Sequence, residues 1–305
     1  MHQRSGNFWR DSIALRGSAT PLVAIDVFII GILAYLVCLL STWYESMFQT
    51  RLGLEVAPHE LAGAILGLLL VLRTNAGYER WWESRKLWGG IVNQSRNLVI
   101  DAVNFGPDDQ RWRDDFTSWA IAFPFVCRNS LRGERAGSDL EAVVGKDGLE
   151  ELRNAQHMPS FVAGKMAALL QEARIRHKMD SFAFLQIDTQ RAQLIDHIGG
   201  CERILKTPLP SAYSISIRRF IMFFLLTLPF ALLHRVEIIW IIPLVTMLVA
   251  YPLISLDHIG ETLQDPFSKR SLNHLPLDEI SKTIDTNLRA INPPETIPAL
   301  VRESA

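Results

Sequence analysis

The sequence predicts an all-α membrane protein with four transmembrane helices per chain and a helical cytoplasmic body. First, 49% of the 305 residues are hydrophobic, a high share for a soluble chain of this length. Second, the apolar residues are concentrated in two blocks, residues 22–72 and residues 220–256. Third, the long segment between the blocks repeats its apolar residues at spacings of three and four, which is typical of helices rather than strands.

Charge and cysteine content exclude several classes of protein. The chain has 31 Lys and Arg residues against 32 Asp and Glu residues, so it lacks the basic excess of a nucleic-acid-binding protein, and we expect no nucleic-acid partner. Cys38, Cys127 and Cys201 are far apart without C-x-x-C spacing, which predicts free thiols rather than a disulfide scaffold or a structural zinc site. The sequence contains no nucleotide-binding, zinc-protease or nucleophile-elbow motif, so we predict that the protein is not an enzyme.

The first apolar block predicts two membrane-spanning helices of different character. Residues 22–44 hold a single charge, Asp26, and exceed the roughly 20 apolar residues that a bilayer crossing needs. Mixed polar residues precede this run and no small-residue cleavage site follows it, so we expect it to be retained. Residues 61–72 form a shorter apolar run that ends before Arg73, so this second helix is expected to face water or protein rather than lipid.

The second apolar block predicts a helical hairpin across the membrane. Residues 220–233 and residues 238–256 are apolar and flank the polar tetrapeptide His-Arg-Val-Glu. Prolines inside such segments are tolerated where neighbouring helices satisfy the backbone. Lys and Arg residues cluster before the first and third spans and after the second, so the positive-inside rule predicts that both termini and the central segment lie in the cytoplasm.

These boundaries divide the chain into five segments. They are a cytoplasmic N-terminal segment (1–21), a first transmembrane hairpin (22–77), a helical cytoplasmic domain (78–217), a second transmembrane hairpin (218–256) and a cytoplasmic C-terminal segment (257–305). Within the cytoplasmic domain, residues 161–176 and 182–198 are predicted helices, and residues 131–148 a predicted exposed loop with a short helix. The tail after Asn292 is expected to be poorly ordered.

One cluster of side chains near the end of the last span is a candidate cation site. His258, Glu261 and Asp265 are spaced by three and four residues, which places them on one helix face. The carboxylate oxygens of such a cluster suit a divalent cation such as calcium. Solvated charges at a helix end are the alternative interpretation.

A histidine and a cysteine in the central segment form a weaker candidate pair. His197 and Cys201 are four residues apart, which would place them on one helix face. Two ligands are too few for a zinc site, and Gly199 and Gly200 between them are expected to end the helix. The pattern therefore favours a structural role for both side chains.

Residues 73–89, RTNAGYERWWESRKLWG, form a predicted turn-rich stretch at a membrane exit. Three tryptophans favour the membrane interface and the neighbouring cations reach water, so an interfacial anchor is one interpretation. The stretch also resembles the signature segment of the bestrophin family, in particular of its bacterial members. Further matches follow the order expected of that family: LRGSA at 15–19, GGCERILKTPLPSAY at 199–213, E-x-x-x-D-P-F at 261–267 and LPLDEI at 275–280.

The resemblance implies a homopentameric ion channel that passes small monovalent ions through the bilayer and requires no cofactor. Its second span would line a narrow hydrophobic neck above a cytoplasmic vestibule, in the plasma membrane of a bacterium. The neck positions of the family fall on Ala64, Leu68 and Leu72, where rings of leucine would gate by dewetting. The cytosolic aperture of the family falls at Leu185, for which a core leucine is the alternative.

The resemblance also bears on calcium and on competing functions. Glu261 and Asp265 match two ligands of the family's calcium clasp, but Lys269 and Arg270 stand where animal members carry acidic residues, so we predict little response to micromolar calcium. The alternatives to a channel are a secondary transporter and a membrane-anchored docking protein. The second span lacks a central charge and the two hairpins differ in length, which favours the channel. A hydrophobic neck leaves the sign of the conducted ion open.

Overall fold

The fold is all-α, as predicted. The computed structural model describes residues 9, 12–15, 17–50, 53–271 and 273–293, and no β-strand occurs among them. The helices are α1 (Thr20–Phe48), α2 (Val56–Phe105), α3 (Gln110–Leu131), α4 (Glu141–Asn154), α5 (Met158–Arg176), α6 (Ser181–Lys206), α7 (Ser211–Arg235), α8 (Ile242–Thr262) and α9 (Leu277–Ile291).

Four helical segments in the described part of the chain are long and apolar enough to cross a membrane. They are α1, α2, α7 and the segment Ile239–Thr262, in which a short 3₁₀ turn leads into α8. Pro243 lies in the first turn of α8, where its missing N–H costs nothing, whereas Pro229 and Pro252 lie inside α7 and α8. The four predicted spans are therefore confirmed as helices of sufficient length.

The course of α2 differs from the prediction. We expected the second span to end near Arg73 and residues 73–89 to be rich in turns, and this is wrong, because α2 is one continuous helix of 50 residues. Its length is about 75 Å at the usual rise per residue. Arg, Lys, Glu and Leu support helix in this stretch, and Gly77 is required by packing rather than by a turn. A Cβ added at Gly77 would lie 3.0 Å from the carbonyl oxygen of Gly260.

The first compact unit contains residues 1–81 and 208–274. In this unit α1 packs along α8, and the hydroxyl groups of Thr20 and Tyr251 are 2.7 Å apart. Leu66 and Leu70 of α2 pack with Phe224 of α7 in a buried apolar cluster. Large apolar side chains also cover the outside of this unit, as expected of a surface in contact with lipid: on α1 they include Ile25, Phe28, Ile32 and Leu36.

The second compact unit contains residues 82–207 and 275–305. Its core forms around α3, which packs on α5 and α9 and carries the fully buried Phe116 and Phe123. The Asp109 side chain caps α3 by accepting hydrogen bonds from two backbone N–H groups, and the Asp180 side chain caps α6 in the same way.

Two predicted helices of the second unit agree with the structure, and one predicted helix end does not. The predicted helices over 161–176 and 182–198 are confirmed as parts of α5 and α6. The expectation that Gly199 and Gly200 end the helix is wrong, because α6 continues to Lys206. A Cβ at Gly200 would lie 2.9 Å from Leu87, so this glycine serves close helix packing. The predicted poorly ordered tail from residue 294 onward lies outside the described residues.

Candidate functional site

The three predicted neck residues lie on one exposed face of α2. Ala64 is exposed, and Leu68 and Leu72 are 61% and 51% exposed. Leu66 and Leu70, which alternate with them along the helix, are completely buried against α7. The N-terminal half of α2 therefore packs against its own unit with one face and presents an apolar face to the outside.

The exposed face of α2 is apolar along the neck positions and becomes polar on their C-terminal side. Along the apolar part, further exposed residues flank the neck positions: these are Leu61, Ile65 and Val71. After Leu72 the same face continues with the exposed side chains of Asn75 and Glu79. A stripe of about twelve residues is thus apolar and is followed by polar groups, which suits a hydrophobic constriction that opens into a wetter space.

A buried charge network lies directly after the neck. Arg73 follows Leu72 and is 1% exposed, and its Nη1 group donates a hydrogen bond to the Asp257 carboxylate of α8. Asp257 also accepts a hydrogen bond of 2.9 Å from Arg218 Nε of α7. Arg218 Nη2 in turn pairs with Glu261. The network joins α2, α7 and α8 through two cations and two anions, so its formal charges balance.

The structure separates the members of the predicted cation cluster. Glu261 is paired with Arg218, whereas Asp265 Oδ1 accepts hydrogen bonds of 3.2 Å from the backbone N–H groups of Phe267 and Ser268. Within the described residues, no group of three or more His, Cys, Asp or Glu side chains is arranged to hold a metal ion. Calcium binding by Glu261 and Asp265 stays a prediction of the resemblance, but each carboxylate already has a protein partner, so we expect calcium to compete poorly for either one.

Leu185 lies on the exposed side of α6. It is 62% exposed and, together with Phe105 and Phe182, lines a shallow cavity of the second unit. The alternative that Leu185 is a core residue does not hold for the single chain. An exposed leucine beside exposed phenylalanines is consistent with a pore-lining position. The assignment of Leu185 to the cytosolic aperture stays a prediction.

His197 and Cys201 pack in the second unit, in agreement with a structural role. Burial raises the pKa of the Cys201 thiol to about 12, with Glu202 and Glu83 adding to the shift. Burial also lowers the pKa of His197, which favours the neutral ring. The His197 ring lies so close to α2 that a Cβ at Gly90 would come within 2.4 Å of it.

The buried ion pair between Arg73 and Asp257 was not predicted from the sequence. The two residues are 184 positions apart, and each one looks like an ordinary charge at the end of an apolar run. The available signal was that Arg73 directly follows the longest leucine-rich stretch of the second span, where an unpaired charge would be costly.

Comparison with known proteins identifies the family. A sequence model described as Bacterial/Fungal Bestrophin protein matches residues 1–290. The chain belongs to this family. Bestrophin-like proteins are ion channels by family and fold, so the predicted channel class is supported over nearly the whole chain.

Relatives and solved structures agree with the bestrophin assignment. A voltage-dependent anion channel-forming protein of Nostoc sp. is 32% identical over 92% of this chain and 91% of its own length. The YneE protein of Escherichia coli K12, which carries the same description, is 31% identical over 85% of this chain and 83% of its own length. The crystal structure of a bacterial bestrophin homolog from Klebsiella pneumoniae matches with a TM-score of 0.80 and 26% identity, covering 88% of this chain and 98% of that one.

Proposed function

We propose that five copies of this bestrophin-like chain surround a central axis and form a passive channel for small monovalent ions. The observation that carries the proposal is the exposed apolar face of α2 at Ala64, Leu68 and Leu72, opposite a face that is completely buried. Five such faces around one axis would form the hydrophobic neck, and Leu185 would form the cytosolic aperture. The channel would require no cofactor.

The physical case for assembly rests on the rest of α2. The face of α2 that exposes Leu68 and Leu72 continues with the exposed side chains of Asn75 and Glu79 within two turns. Lipid contact on this face would bring polar side chains into hydrocarbon, which is costly. A water-containing axis shared by several copies accommodates the apolar neck and the polar continuation of the same helix.

One observation supports anion conduction and another supports cation conduction. The relatives are described as anion channel-forming proteins, which supports anions. Glu60 and Glu79, at the two ends of the exposed apolar stripe of α2, would instead attract cations. Reversal potentials in planar bilayers under asymmetric salt measure which contribution is larger.

The orientation in the membrane follows from the distribution of cations. We place the chain in the plasma membrane of a bacterium with both termini in the cytoplasm, because Lys and Arg residues cluster on that side of the predicted spans. In this orientation the second compact unit is cytoplasmic. Cysteine labelling with a membrane-impermeant maleimide at an introduced C-terminal site would test the orientation.

The test of the assembly combines mass and flux. Light scattering of the purified protein in detergent is expected to give a protein mass five times that of the 34.5 kDa chain. Liposomes that contain the protein are expected to pass ions without a coupled gradient. A monomer without flux would favour the docking protein, and flux that depends strictly on a second solute would favour the transporter.

A further inference from the structure

A cavity of about 480 Å³ lies between α1, α7 and α8 of the first unit, away from the exposed face of α2. Its size and mainly apolar walls are typical of small-molecule sites, which add a few polar groups to an apolar surface. The apolar walls include Ile29, Ile30, Ile221, Met222, Leu225 and Ile254. The polar lining consists of Asp26, Arg218, Asp257 and His258.

Asp26 is a lining residue whose charge is unmatched within the described part of the protein. It is exposed on α1, and no side chain in the described part of the chain pairs with it. Its neighbours along the helix, Ile25 and Val27, are apolar. A carboxylate in a membrane helix without a partner is costly, so a cationic group from outside the chain would stabilise it.

Arg218 offers the complementary charge in the same cavity. Its Nε and Nη2 groups are used by Asp257 and Glu261, but Nη1 has no partner among the described residues, and the side chain is 48% exposed. The N–H groups of Nη1 are suited to a phosphate. A ligand that carries both an ammonium group and a phosphate would match Asp26 and Arg218 together.

We propose that this cavity binds a phospholipid with a primary ammonium headgroup, the chemistry of phosphatidylethanolamine. The ammonium would donate to Asp26, the phosphate would accept from Arg218, and an acyl chain would lie along the isoleucine and leucine walls. The membrane supplies this ligand, because α1, α7 and α8 are all long and apolar enough to span it. An anionic headgroup would leave Asp26 unmatched, and a choline headgroup has no ammonium N–H to donate.

The ligand would also act on the pore helix. Arg218 and Asp257 belong to the network that holds Arg73 immediately below the neck. A lipid that neutralises Asp26 and contacts Arg218 would therefore stabilise the group of helices that orients α2. This stabilisation of α2 is separate from the proposed ion conduction. Lipid binding can be measured without recording any current.

The experiment is native mass spectrometry of the assembled protein titrated with phosphatidylethanolamine, phosphatidylglycerol and phosphatidylcholine of identical acyl chains. Wild-type protein is expected to retain phosphatidylethanolamine in competition with either of the others. Asp26→Asn is expected to lower this affinity about tenfold, since it removes one charge-assisted hydrogen bond. Glu45→Gln removes a carboxylate from the far end of α1 and is expected to leave the affinity unchanged.

Three results would overturn the proposal. Equal retention of the three headgroups would show lipid that coats the surface without recognition. A preference for phosphatidylglycerol, or a phosphatidylethanolamine affinity that Asp26→Asn does not lower, would show that Asp26 takes no part in binding. The competition on the wild-type protein needs no variant, so it decides the question even where a substitution disturbs assembly.

Discussion

Two charge networks, one in each compact unit, use the same chemistry in different surroundings. In the first unit Asp257 joins Arg73 of α2 to Arg218 of α7. In the second unit Asp278 of α9 joins Arg128 and Arg132 of α3, at 3.1 and 2.9 Å. Arg73 is 1% exposed and lies in a candidate membrane span, whereas the Asp278 side chain is 45% exposed.

The two networks differ in how easily water reaches their charged groups. Water can hydrate Asp278, and Arg128 has a second carboxylate partner in Asp139, so this network can lose one contact at little cost. Arg73 has no comparable substitute among the described residues, because its Nε and Nη2 atoms are buried without a partner there. The pair between Arg73 and Asp257 therefore fixes α2 far more strictly than the Asp278 pairs fix α9.

The largest predicted effect is the loss of the buried pair in the first unit. Arg73→Gln is expected to lower the free energy of unfolding by roughly 3 to 5 kcal/mol, because Asp257 then lacks its most deeply buried partner. Chemical unfolding in detergent, followed by tryptophan fluorescence, measures this value. In a double-mutant cycle, adding Asp257→Asn to Arg73→Gln is expected to lower the free energy of unfolding much less than Asp257→Asn does alone. Strictly additive losses would show that the two side chains are not coupled.

Removal of the corresponding acid in the second unit is expected to have a smaller effect. Asp278→Asn should lower the free energy of unfolding by about 1 kcal/mol, since the exposed carboxylate is already partly hydrated. The same unfolding measurement applies, with Asp285→Asn, two turns further along α9, as a control that removes the carboxylate of a single pair with Arg289. A loss as large as that of Arg73→Gln would contradict the contrast between the two networks.

A thiol inside the second unit tests how dry its core is. Because burial raises the pKa of Cys201 from 9.0 to about 12, the folded protein keeps this thiol protonated at pH 8, and maleimide labelling should be slow until a denaturant is added. The unfolded chain loses the proton first, so the thiol's contribution to stability is present below pH 9 and falls as the pH rises toward 12. Rapid labelling of Cys201 in the native protein at pH 8 would contradict this burial.

The smallest predicted effect concerns calcium. To bind Glu261, calcium would have to displace Arg218, and at Asp265 it would have to displace two backbone N–H groups. Calorimetric titration at micromolar calcium is therefore expected to give no binding heat for the wild type or for Glu261→Gln with Asp265→Asn. A wild-type current that rises with micromolar calcium, and a double variant that loses the response, would contradict this expectation.

The parts of the fold that depend on local sequence were predictable. Run length and hydropathy predicted four spans, and the family resemblance placed Ala64, Leu68 and Leu72 on the second span, where their spacing of four puts them on one helix face. The features that escaped prediction depend on distant residues. A helix end was expected near Arg73 because the apolar run stops there, and the partner that buries Arg73, Asp257, is remote in sequence. Gly200 was expected to end a helix because glycine is a weak helix former, and its packing neighbour Leu87 lies on another helix.

The central claim is that ions pass between the exposed faces of α2, and current through single channels tests it most directly. Leu68→Ala combined with Leu72→Ala is expected to raise the conductance in planar bilayers, because a wider neck is wetted more easily. The control is Leu66→Ala combined with Leu70→Ala, the same change on the buried face, which should weaken packing without widening the neck. Higher conductance in the first variant alone is the predicted result, and an unchanged current in that variant would contradict the assignment of the neck.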